Sequence, residues 1–213
     1  MIHVSPFGDR AVEVALATDD AREAHAIARI LERAAIEGVA ELVVGYGATL
    51  AHLDEGVDPI RIAPLIERAI ERAVGIAGLD IVDEAARDHV VRAVYDGPDL
   101  AFVADACGLT IDDVVERHAA RTYRVDVIGF LPGFAYLGGL DPSLSLPRRE
   151  TPRARVPELS LAIAGGRTAI YPRASPGGWH LLGRVVDCAP FDVGRARPSL
   201  FSVGDRVRFE IVR

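Results

Sequence analysis

The chain has 213 residues, 50% of them hydrophobic, and a formal net charge of −7, which is enough to bury one large core or two smaller ones. All 24 basic residues are arginine; a Walker A loop, a biotin carrier, a Schiff-base enzyme and a Ser-Ser-Lys amidase each need a lysine that this chain does not have. No apolar run reaches the roughly 18 residues of a membrane-spanning helix, and MIHVSPFGDR has neither the basic nor the apolar region of a signal peptide, so a cytoplasmic location is expected.

In chain order, HVSPFGDRAVEVAL alternates like a strand, and a helix is predicted from about Asp20 to Glu37, capped by Asp19 or Asp20 and stopped by Gly38. ELVVGYGATLAHL is strand-like. Asp58-Pro59 opens a second helix whose apolar stripe includes Ile62, Ile66 and Ile70 and which Gly75 or Gly78 ends. HVVRAVY at 89–95 completes a β-α-β-α pattern, read as a small α+β domain. Two short helices follow, joined at Cys107-Gly108-Leu109, with a capping-box start at Thr110 and Asp113. Their spacing resembles a helix-turn-helix, but Asp112, Asp113 and Glu116 on the second helix oppose phosphate contact, so no nucleic acid is expected. From Thr122 onward YRVDVIGF, LSLAIAG, RTAIYP, WHLLGRVV and RVRFEIV read as short strands between Pro and Gly turns, which predicts a β-barrel or closed sandwich.

Charge is unevenly divided. Residues 1–141 carry 12 Arg against 25 acids, while 142–213 carry 12 Arg against 6, so the carboxy-terminal part suits a small anionic ligand or an acidic partner. Arg148, Arg149, Arg153 and Arg155 are interleaved with Pro147, Pro152 and Pro157. Prolines limit the loop's conformations and favour bidentate capture of carboxylate or phosphate; the alternative is a solvated loop paired with Glu150 and Glu158. Phe134, Tyr136, Tyr171 and Trp179 stand among glycines and could wall a pocket, while Phe130 reads as core. In SPGGW, Gly177 and Gly178 allow close backbone approach, and Ser175 fits a turn better than a nucleophile. His180 is the candidate general base, although no neighbouring acid orients it. Cys107, Cys188 and the remaining histidines form no disulfide framework or metal spacing, and no metal is expected.

IGFLPGFAYLGGL, PRRETPR, LSLAIAG, IYP, SPGGWHLLGR, FD at 191–192 and GDRVRF at 204–209 occur in one ordered set. In these the chain resembles the allophanate hydrolase subunit 1 family, whose members include the B subunit of bacterial ATP-dependent 5-oxoprolinase and a histidine-kinase inhibitor. The resemblance implies an α+β amino-terminal domain at 1–86 and a cyclophilin-like β-barrel at 87–213. It implies an enzyme subunit that works with a subunit 2-type partner on a small amide or lactam, most directly opening 5-oxoproline to glutamate, with ATP used by the complex and not bound by a motif of this chain. A urea- or allophanate-type carboxyltransferase or hydrolase subunit and a non-catalytic kinase inhibitor are the alternatives. The candidate substrate-binding residues from the reading above are Phe134, Tyr136, Arg148, Arg149, Arg153, Arg155, Tyr171, Ser175, Gly177, Gly178 and Trp179, with His180 the catalytic candidate.

Overall fold

The computed structural model describes residues 2–77 and 87–212. The chain divides into two compact units, Met1–Asp83 and Glu84–Arg213; the expected boundary at 86/87 adjoins residues 78–86, outside the described residues. The class is α+β, as expected.

In the first unit, β1 (Ile2–Phe7), β2 (Ala11–Leu16), α1 (Ala21–Ala34), β3 (Val39–Val44), β4 (Ala48–Leu53) and α2 (Pro59–Ala77) follow one another. The strands form an antiparallel sheet in the order β1-β2-β4-β3. Each strand-like stretch of the sequence is thus a hairpin, turning near Gly8 and near Gly45-Tyr46-Gly47. Period 2 in the strands and 3.6 in the helices bring Val12, Val14, Ala51 and Leu53 against Ile27, Leu31, Ile62, Ile66 and Ile70. Asp20 caps α1 by accepting the Arg22 N–H (2.9 Å). The helix ends three residues before the expected Glu37, because Ala35 turns left-handed (φ 44°) and its N–H bonds back to Leu31 and Glu32. α2 passes through Gly75; Gly78 lies outside the described residues.

The second unit is a closed barrel of β5 (Asp88–Val94), β6 (Thr122–Ile128), β7 (Ala135–Gly138), β9 (Ser160–Ala164), β10 (Arg167–Ile170), β12 (His180–Val186) and β13 (Arg206–Ile211), in the order β10-β7-β6-β13-β5-β12-β9. Helices α3 (Leu100–Cys107) and α4 (Ile111–Ala119) and the two-stranded ribbon of β8 (Arg153–Val156) and β11 (Ser175–Gly177) are added to it. HVVRAVY is therefore a barrel strand and does not complete the first sheet: β5 pairs with β12 on one side and, in parallel, with β13 on the other. The capping box at Thr110 and Asp113 forms as read from the sequence, and Leu100, Val103, Ala104 and Val114 of the two helices join the barrel core. None of the described helices is long and apolar enough to cross a membrane.

The barrel closes where β13 meets β5 and β6. Buried Asp205, beside that seam, accepts the N–H groups of Arg87 (3.0 Å) and Ser202 (2.9 Å), the Arg87 guanidinium (2.9 Å) and His89 Nε2 (2.8 Å). Burial alone would raise its carboxyl, but these donors hold it below the usual carboxylate range. The acid of the GDRVRF motif is thus a structural hub.

Candidate functional site

Strand β9 is buried at every position, because both of its faces are covered. Leu161 and Ile163 point into the barrel core, whereas Ala162 and Ala164, with Ala169 of β10 and Leu181 of β12, face a second cluster containing Phe134, Val156, Tyr171 and Trp179. Small alanines on that outer face leave room for the large rings. Phe134 stands at the centre of the rings, edge-on to Phe130, Tyr136, Tyr171 and Trp179 at centroid distances of 5.3, 4.9, 5.3 and 5.8 Å, the geometry aromatic quadrupoles favour. Phe134, Tyr171 and Trp179 are buried, and Tyr136 is half-buried. The reading of Phe130 as core fails. It is 60% exposed, and its backbone is left-handed at φ 69°, a conformation a bulky L-residue rarely adopts.

The ribbon carries the arginine loop to the same region. β8 and β11 pair with Ser175 opposite Val156 and Gly177 opposite Arg153, and the Arg149 N–H donates to the Gly178 carbonyl (2.7 Å). At Gly177 a Cβ would collide with the Tyr171 hydroxyl; this glycine serves close packing against Tyr171. At Gly178 a Cβ would meet Pro152 and Arg149 only at ordinary contact distance. The Ser175 hydroxyl donates to the neighbouring Pro176 carbonyl (3.2 Å), consistent with a turn.

The four arginines have two different environments. Arg149 Nη1 and Arg153 Nη2 both donate to Oδ1 of Asp99 (3.2 and 2.6 Å), while Oδ2 of the same carboxylate accepts the Leu181 N–H (2.7 Å). Arg148 and Arg155 are exposed, and neither has a hydrogen bond or ion pair among the described residues. Burial alone would raise the Asp99 carboxyl, but Arg153, the Leu181 amide and Arg149 hold it below the usual carboxylate range. Burial raises the phenols of Tyr136 and Tyr171; Arg148 pulls both the other way, joined by Arg167 at Tyr136 and by the Trp179 backbone at Tyr171. Arg148 is thus the cation that both phenols sense.

A cleft of about 510 Å³ opens beside the loop, lined in part by Phe102, Pro147, Arg148, Arg149, Glu150 and His180. His180 is buried and stacks on Phe102 (5.3 Å, 16° between planes). Its Nε2 lies 2.9 Å from the Pro147 carbonyl; a carbonyl only accepts, so Nε2 carries the proton. Nδ1 is buried without a partner, as are Arg149 Nε and Arg153 Nη1. A general base must reach its substrate's proton; here Nε2 is engaged by the Pro147 carbonyl and Nδ1 is buried. The geometry gives His180 the part of an anchor for the loop at Pro147.

Sequence reasoning missed Asp99 and Phe102. Asp99 stands at the N-cap of α3 but makes no capping bond with its side chain. Its Gly-Pro-Asp setting signals a helix start, whereas its partners at 149, 153 and 181 lie 50 to 82 residues away, a separation no local pattern encodes. Among the described residues no group of His, Cys, Asp and Glu could hold a metal ion.

The family model for the carboxyltransferase domain, subdomain C and D, matches residues 2–201. The 5-oxoprolinase B subunit of Haemophilus influenzae is 35% identical over 98% of this chain and 97% of its own length. That of Escherichia coli O157:H7 is 50% identical over 56% of this chain and 55% of its own length. The crystal structure of TTHA0988 superposes with a TM-score of 0.74 at 36% identity, covering 96% of this chain and 40% of that one. The chain thus matches only about half of the Escherichia coli protein and less than half of TTHA0988. Matched nearly end to end by the family model, and by one relative along its whole length, the chain belongs to the carboxyltransferase subdomain C and D family, that of the allophanate hydrolase subunit 1 proteins and the 5-oxoprolinase B subunits.

Proposed function

We propose that this chain is one subunit of a complex that opens 5-oxoproline to glutamate, coupled to ATP hydrolysis, together with an allophanate hydrolase subunit 2-type partner. The observation that carries this reading is the end-to-end similarity to a 5-oxoprolinase B subunit. The geometry agrees with a small planar anion as ligand. Arg148 is exposed and without a protein partner among the described residues, so its guanidinium is available to take a carboxylate bidentately. Tyr136, the half-buried member of the ring cluster, offers an edge to a lactam, and Trp179 and Phe134 back it. Asp99 and His180 position the loop: the first pairs with both Arg149 and Arg153, and the second holds Pro147.

A Walker A loop needs a lysine that the chain does not have, so nucleotide binding is assigned to the partner subunit. In the assembled complex, Arg148→Ala should raise KM for 5-oxoproline about 10- to 100-fold, the worth of one charge-assisted contact, and leave the melting temperature in place. 5-Oxoproline-dependent ADP release reads both the reaction and the variant. A complete complex that releases no ADP in response to 5-oxoproline would overturn the assignment.

A further inference from the structure

The first unit carries a groove that the carboxy-terminal site does not use. It has a volume of about 420 Å³ and runs between β1 and the later turns of α2. Its floor is aliphatic: Ile2 and Val4 of β1, Leu16 of β2 and Val74 of α2. All four are only partly buried and pack on the margin of the first unit's core, so the core is left unfinished on this side. β1 is also the end strand of its sheet and pairs only with β2 among the described residues.

The rim is acidic. Glu67 and Glu71 project from α2 at a spacing of four, beside Val74, and Glu23 stands in the first turn of α1. None of the three has an ion pair or a side-chain hydrogen bond among the described residues. Two like charges one helical turn apart destabilise a helix. Here they stand with a third around exposed aliphatic surface. The arrangement opposes folding twice, and a single ligand would relieve both terms.

We propose that this groove docks a basic amphipathic segment of a partner protein, whose aliphatic side chains cover Ile2, Val4, Leu16 and Val74 while its Arg or Lys residues meet Glu23, Glu67 and Glu71. The occupant's chemistry follows from complementarity. An acidic or neutral apolar segment would leave the three carboxylates unpaired, and a purely basic one would leave the floor wet. An open strand edge beside the groove further suits a peptide main chain.

The test uses the full chain and a fluorescein-labelled peptide of alternating leucine and arginine, read by fluorescence anisotropy. Binding is expected, weakened about tenfold by the combined change Glu23→Gln, Glu67→Gln and Glu71→Gln, as three partly screened rim charges would give, and weakened by added salt. These side chains lie at the surface, so thermal melting should show the variant folded. Glu32→Gln with Glu41→Gln, away from the groove, should leave binding unchanged. A serine-arginine peptide that binds equally well would show attraction by acidity alone. Either that outcome, no binding of the leucine-arginine peptide, or equal loss in the distant variant would overturn the proposal.

Discussion

Two phenylalanines four residues apart have opposite parts. Phe134 is 1% exposed and touches four rings; Phe130 is 60% exposed and touches one. A left-handed backbone costs a non-glycine residue about 1–2 kcal/mol, so Phe130→Gly should leave stability within about 1 kcal/mol of the parent, with strain relief offsetting lost contact. Phe134→Ala should cost about 3–5 kcal/mol. Urea denaturation of the two variants checks this contrast, and a large loss at Phe130 would show its ring to be a core member after all. Composition and spacing identified the cluster of rings, but which ring faces outward depends on a backbone angle. That angle belongs to a tight turn in which the Leu131 N–H donates to the Gly129 carbonyl (2.9 Å) across Phe130. Likewise the arginine loop was legible as a charged, proline-stiffened segment, while its division into two cations that share one carboxylate and two exposed ones depends on Asp99, far away in sequence.

Among the elements, α4 was the most legible, because its capping box is a local pattern; strand β7, with four residues, was lost between glycines. α4 also ends on a group that no local pattern singles out. His118 is fully enclosed, with Nδ1 on the Tyr95 hydroxyl (2.8 Å) and Nε2 on Thr168 (2.9 Å), and with Tyr123 and Phe209 against its ring. Burial lowers its pKa to about 3, against about 6.5 in an unfolded chain. Between those values the unfolded state binds the extra proton. The stability His118 contributes is therefore complete above about pH 6.5 and is lost as pH falls toward 3, at up to about 1.4 kcal/mol per pH unit. Asp99 and Asp205, with lowered values, add their losses only near and below the usual carboxylate range of about 3.9. Unfolding free energy should thus fall by about 2 kcal/mol from pH 7 to pH 5, and His118→Gln should flatten that interval. Equal pH dependence in parent and variant would place the titration elsewhere.

At the scale of the molecule, five barrel strands were readable as alternating runs, yet the closure of the barrel was not. Pairing partners such as Asp88 and Arg206 are too distant for periodicity to link them. Closure rests on one carboxylate near the seam. Asp205→Ala would leave His89 Nε2 and two backbone N–H groups without their acceptor, while the half-exposed Arg87 guanidinium keeps Leu200 and Ser202, and should reduce stability by about 1–3 kcal/mol, the cost of buried donors left unsatisfied; thermal melting measures it. The same seam sets an order of events during synthesis. β13 alone lies between β5 and β6, so a chain still emerging from the ribosome must wait, with both strand edges bare, until β13 has appeared. The first unit, whose strands among the described residues pair only with one another, can fold long before. The interval between the two is when this protein most needs protection from aggregation.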